Sequence, residues 1–196
     1  MTYYGFVDPA GGSGGDSFCL AVAHYDPKSG RTVLDAVRET KPPFSPESVV
    51  EGYAALLHSY RIHKVTGDHW GCEFVREPFR KKGITYELSE LPKSDIYREV
   101  LPLFNSGRVE LLDLSRLANQ FIALERRTAR SGKDSIDHAP GAKDDLCNAA
   151  AGALLVASAR KGAWVTAKLV ALTAGSHART GYSAHPHLQP VRPWTQ

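Results

Sequence analysis

The chain has 196 residues, 42% of them hydrophobic and 23% charged, which is enough length and apolar content to bury the core of one globular domain. A formal charge of +3 permits a nucleic-acid partner without demanding one, so the distribution of basic residues has to decide. Three scattered cysteines with no C-x-x-C argue against a disulfide framework or a zinc-cysteine site, no signal-peptide pattern opens the sequence, and the apolar run 149–159 is too short and alanine-rich to span a bilayer, so a soluble protein of a reducing compartment is expected.

Tyr3 to Val7 and Phe18 to His24 are short aromatic and β-branched runs separated by DPAGGSGGD, the pattern of a hairpin with a long glycine-rich loop. Thr32 to Val37 adds a third strand after the turn DPKSG. The period then changes. Ser45 is a helix start signal, Pro46 and Glu47 suit a first turn, and Val49, Tyr53, Leu56, Leu57 and Tyr60 mark one helix face. A short strand from Lys64 ends at Asp68, Glu73 to Lys82 reads as helix, and Ile84 to Leu88 as the next strand. Lys93 to Phe104 and Leu114 to Glu125 read as helices with a brief extended piece at Val109 to Leu111 between them, and a last helix is expected from Asp144 to Arg160. From Thr173 the chain is rich in His, Pro, Gly and Ser without periodicity, so residues 1–172 are read as the folded domain and 173–196 as a disordered tail.

A helical crossover makes the fourth strand parallel to an earlier one, and the right-handed crossover rule allows it to lie beside the first. Asp8 and Asp68 would then stand together at the carboxyl ends of neighbouring strands, where open α/β sheets place their sites. Two converging carboxylates repel unless a cation lies between them, and oxygen ligands with no cysteine in the set point to magnesium or manganese rather than zinc. Each aspartate also has a plainer reading: Asp8 and Asp68 as turn residues, and Asp144 as the N-cap of the last helix. Successive helical positions point about 100° apart, so Asp144 and Asp145 cannot do the same job. Asp145 is read as the principal ligand, with Asp144 as cap or auxiliary ligand. Ala149, Ala150, Gly152 and Ala153 would let this helix approach the sheet closely, although alanine is also simply a good helix former.

In order along the chain, GFVDPAGGSGGDSFCLAVAH, VTGDHWGCEFVREPFRKKGITYE, KSDIY, NSGRVELLD and LERRTARSGKDSIDHAPGAKDDLCNAAAGAL resemble the nuclease domain of the large terminase subunit of tailed bacteriophages, over roughly Tyr3 to Leu155. The resemblance implies an RNase H-like fold: a mixed five-stranded sheet flanked by helices, its first three strands an antiparallel meander and its fourth and fifth parallel to the first. It implies a metal-dependent endonuclease that cuts concatemeric viral DNA during packaging in the cytoplasm of the infected host. Asp8, Asp68, Asp144 and Asp145 would be its acidic cluster, holding two Mg2+ or Mn2+ ions about 4 Å apart. Asp8 would bridge the ions, Asp68 would hold one and Asp145 the other.

Double-stranded DNA would be the substrate, with a separate packaging ATPase, the small terminase subunit and the portal as partners. These 196 residues contain no G-x-x-x-x-G-K-[ST], so the ATPase motor of a full-length large terminase is not among them. Arg126, Arg127, Arg130 and Lys133, just upstream of the acidic pair, are expected to touch phosphates without reading sequence. A second basic group, Arg76, Arg80, Lys81 and Lys82, is read as a favourable helix end. His138 either orients water or phosphate or serves the loop structure, and Asp16 stabilises the end of the glycine loop. Two rivals stay open: a non-catalytic DNA-binding or packaging-assembly module of the same fold, and an actin- or sugar-kinase-like phosphotransferase fragment whose DPAGGSGG loop would cradle phosphate.

Overall fold

Runs such as FCLAVAHYD have no polar face, which is the mark of a strand covered on both sides, and they form the middle of a sheet with helices on each face. The computed structural model describes residues 1–68, 72–128 and 134–159, all within one compact unit, Met1–Gly162. The strands are β1 (Tyr3–Asp8), β2 (Phe18–Asp26), β3 (Arg31–Thr40), β4 (Lys64–Gly67), β5 (Thr85–Leu88) and β6 (Val109–Glu110), in the spatial order β5-β4-β1-β2-β3-β6. β1, β2 and β3 are an antiparallel meander, β4 is parallel to β1, and β5 is parallel to β4. The helices are α1 (Pro46–Ser59), α2 (Cys72–Lys81), α3 (Lys93–Asn105), α4 (Ser115–Ile122) and α5 (residues 145–159).

The two-residue period of the strands sorts side chains into two cores. Phe6, Cys19, Ala21 and Ala23 face Ile96, Leu117 and the buried side of α5, whereas Val7, Phe18, Leu20 and Val22 face Val50, Leu57 and Phe79 of α1 and α2. α5 packs close against the sheet. Ala149, Ala150 and Ala153 are fully buried, and a Cβ on Gly152 would collide with the ring of Phe6, so small residues here serve close approach. At the other end of the meander, Gly12 takes a φ of 84° and its missing Cβ leaves room for Phe44, which anchors the glycine loop to the chain entering α1.

Two expectations need correction. The sheet has six strands, not five, because Val109 and Glu110 pair in parallel with Thr32 and Val33 at its far edge. The extended piece at Val109 was expected, but not its pairing with β3, which no local pattern announces. The helix expected over Leu114 to Glu125 stops at Ile122, and the chain turns into a hairpin of β7 (Leu124–Thr128) and β8 (Asp134–His138). Its strands are chosen by pairing: Arg126 bonds Asp134, the Thr128 hydroxyl donates to Asp134 at 2.6 Å, and Leu124 and Ile136 turn inward to the core. The tail 173–196 and its boundary at residue 172 lie outside the described residues.

Candidate metal centre

Asp8 is the last residue of β1, and the neighbouring parallel strand brings Asp68 beside it: the Asp68 N–H donates to the Val7 carbonyl at 3.2 Å, one step beyond the last β1–β4 pair. α5 approaches the same strand ends with its N-terminus. Asp144 is the residue before its first turn, and its carbonyl accepts the Asn148 N–H at 2.8 Å. All four aspartates line one cleft of about 520 Å3, together with residues of the glycine loop, Lys93, His138, Lys143 and Asn148. The glycine loop closes onto this cleft at two points. The Ser17 N–H donates to Asp145 Oδ2 at 2.9 Å, and Lys143 Nζ lies 2.5 Å from Asp16 Oδ1.

The electrostatics place Asp8 at the focus. Desolvation pushes its carboxyl well above the usual range, the Asn148 amide pulls the other way, and the charges of Asp145, Asp68 and Asp144 push it further up. Asp145 is raised for the same reasons, burial first, against the Ser17 N–H that favours its anion. Asp144 has protein partners instead. Its Oδ2 accepts the Tyr97 hydroxyl at 2.9 Å and lies 3.0 Å from Lys93 Nζ.

This arrangement fits an oxygen-ligated divalent cation. Four carboxylates on one cleft raise each other's cost until a cation neutralises them. Asn148, 1% exposed, has an amide with no hydrogen bond of ordinary geometry to either polar atom, which is expensive unless something in the cleft completes it. Cys19, the β2 partner of Asp8, is fully buried, and burial together with nearby carboxylates raises its thiol well above the ordinary value. It stays a neutral thiol and offers no thiolate to the site.

No protein-family model matches the sequence, and no curated protein sequence matches it. Solved structures do. The large terminase nuclease from thermophilic phage G20c superposes with a TM-score of 0.65 at 18% identity, over 78% of this chain and 80% of that one. The fold is that of a large terminase nuclease. The HK97 bacteriophage large terminase gives a TM-score of 0.63 at 14% identity, covering 79% of this chain and 39% of that one. The large terminase nuclease domain of bacteriophage SPP1 with bound Mn gives 0.57 at 13% identity, covering 78% and 85%. The G20c nuclease has also been solved with bound magnesium and with bound cobalt.

Two of the four basic residues expected to meet DNA, Arg126 and Arg127, fall within the described residues. Arg126 and Arg127 are exposed on β7, where Arg126 pairs with Asp134, and Arg127 with Glu125 at 2.9 Å. Arg130 and Lys133 lie outside the described residues, as do His69 and Gly71 beside Asp68. Arg80 lies in the last turn of α2 and bonds Glu77 at 2.7 Å, while Lys82 reaches Glu51 of α1 at 2.6 Å. Lys93, Asp137 and Asn148 went unmarked in the sequence reading, although all three belong to the cleft or its rim. Only Asn148 carried a local signal, since it stands one helical turn after Asp144 and Asp145 on a helix that otherwise faces the core with alanines.

Proposed function

We propose that the chain is a divalent-metal-dependent endonuclease that cleaves double-stranded DNA in the manner of a terminase large-subunit nuclease. One observation carries this reading: Asp8, Asp68, Asp144 and Asp145, drawn from two strand ends and one helix start, converge on a single cleft. The magnesium, cobalt and manganese bound in similarly folded nucleases support it.

The residues that would hold metal are Asp8, Asp68 and Asp145, which line the one cleft. Asp144 supplements them, because Lys93 and Tyr97 already claim its Oδ2. When bound, Mg2+ or Mn2+ supplies an activated water and charge stabilisation for in-line attack at phosphorus. The chain's own groups do the rest. The Ser17 N–H orients the Asp145 carboxylate, Asn148 sits against Asp8, and the Lys143–Asp16 pair ties the glycine loop across the cleft mouth. Backbone phosphates, not base edges, would be gripped, so cleavage by this chain alone is largely independent of sequence and weakens as salt rises. In an infected cell the packaging ATPase, small subunit and portal would be separate partners.

The test is cleavage of supercoiled plasmid with Mg2+, Mn2+ or EDTA by the wild type and by Asp8→Asn and Asp145→Asn. Metal-dependent nicking and linearisation, lost in both variants, is the expected result. A folded, DNA-binding wild type that never cuts would overturn the nuclease reading in favour of a binding or assembly module.

A further inference from the structure

We propose that Arg116, Glu39 and Ser17 form a hydrogen-bond chain, beginning outside the acidic cleft, that holds the Asp145 carboxylate in position for a metal ion. The inference rests on the reading of Asp145 as a ligand of a divalent cation and deepens it: Arg116, Glu39 and the Ser17 hydroxyl become positioning groups which that reading does not use.

The chain joins four separate segments. Arg116, in the first turn of α4, donates from Nε to Glu39 Oε2 at 2.7 Å and from Nη2 to Glu39 Oε1 at 2.6 Å. This two-point fork fixes the plane of the carboxylate, which a single ammonium would not do. Glu39, next to last in β3, accepts the Ser17 hydroxyl on Oε1 at 2.9 Å. Ser17 ends the glycine loop immediately before β2, and its N–H donates to Asp145 Oδ2 at 2.9 Å. Anchoring the hydroxyl restrains the loop end that carries the N–H, so the two bonds act together. Among the described residues Asp145 Oδ1 accepts no hydrogen bond, which leaves it as the oxygen for a cation.

The burial of Glu39 is an independent observation. Its side chain is only 12% exposed, and in the sheet it stands opposite Cys19, which pairs on its other side with Asp8. Burial opposes the Glu39 charge, but the hydrogen bonds from Arg116 and Ser17 outweigh it and hold its pKa below the ordinary carboxylate value. Ser17 is buried as well. An ion pair serving only the surface needs neither a buried carboxylate nor a buried serine bonded to it.

Neither Arg116 nor Glu39 lines the cleft; Arg116 opens instead on a neighbouring groove, beside Asn119, Gln120 and Lys143. Arg116 can therefore act on a metal in the cleft through the chain or through its charge, and the two routes have opposite signs. By Coulomb's law alone, removing a nearby cation tightens the binding of another. Losing the anchor of a ligand's hydrogen-bond partner weakens it.

The test is calorimetric titration of the full chain with Mn2+, supported by manganese EPR, on the wild type and on Ser17→Ala, Ser17→Thr, Arg116→Ala and Asp145→Asn. Ser17→Ala and Arg116→Ala should each weaken Mn2+ binding on the order of tenfold or more. Ser17→Thr keeps the hydroxyl and should bind as the wild type does. The double variant of Ser17→Ala and Arg116→Ala should bind no more weakly than the weaker single one, because both break the same chain. Thermal melts in EDTA identify a variant that misfolds, and the two serine variants still decide the matter if Arg116→Ala is one. Tighter binding by Arg116→Ala, wild-type binding by Ser17→Ala, or losses that add in the double variant overturn the proposal. If Asp145→Asn weakens binding while the serine and arginine variants leave it unchanged, the metal centre stands and the chain falls. If Asp145→Asn binds Mn2+ as the wild type does, the metal centre as read falls and the chain falls with it.

Discussion

Asp8 shows how a single residue can be placed against its own stability. Its carboxyl is held well above its ordinary value by burial and by three neighbouring carboxylates, so in the folded protein its neutral form is favoured. The stability linked to it is therefore fully present below the unfolded value, 3.8, and is lost as pH rises through the higher folded one. Asp8→Asn removes this penalty, and in EDTA at neutral pH it should be more stable than the wild type by roughly 1–2 kcal/mol. Thermal melts from about pH 4 to about pH 8 should show the gap opening as pH rises. An unchanged gap would mean that the carboxylate is not strained. The sequence marked Asp8 as the end of a strand before a glycine loop, but not this strain, which comes from Asp68, Asp144 and Asp145, each at least 60 residues away along the chain.

At the scale of elements, two contacts position the cleft. The first is α5 against β1, where Gly152 meets the ring of Phe6. Gly152→Ala gains helix propensity of about 1 kcal/mol but drives its Cβ into that ring, and overpacking typically costs about 1–3 kcal/mol. A net loss of stability, partly restored by Phe6→Leu in the same chain, is the expected outcome in urea unfolding; a stabilised Gly152→Ala would show that the helix can retreat freely. The second contact is the first turn of α3 against the hairpin. Ser94 Oγ accepts the Ile136 N–H at 2.9 Å, beside the Lys93 bridge to Asp137. Ser94→Ala leaves that N–H without its partner at a cost of about 1 kcal/mol. Amide exchange should quicken in β7 and β8 while β1 and β2 stay protected, and uniform acceleration would contradict a local tether.

At the scale of the whole molecule, the cost of gathering carboxylates links metal to folding. A cation that binds only the folded state stabilises it by RT ln(1 + [L]/Kd), about 2.7 kcal/mol at a hundredfold excess over Kd. Mg2+ or Mn2+ should therefore raise the melting temperature of the wild type, with a smaller rise for Asp8→Asn, as read by scanning calorimetry. Equal rises in both would place the bound metal away from Asp8.

The sequence by itself determined the elements with strong periods and clear stops: the β1–β2–β3 meander, α1, the β4 and β5 strands, and α3 within a residue of its end. It also singled out four aspartates by their place at strand ends and at a helix start, because turn and cap positions are local properties. Tertiary structure decided what depends on pairing between distant segments. The extended piece at Val109 joins the sheet as β6 only because β3 offers a free edge, and β7 and β8 exist because each is the other's partner, so neither hairpin strand shows in a window of one segment. The same reason hid Lys93 and Asp137. An ammonium on α3 becomes part of the acidic cleft only when a hairpin and a helix N-terminus, more than 30 residues further on, fold against it.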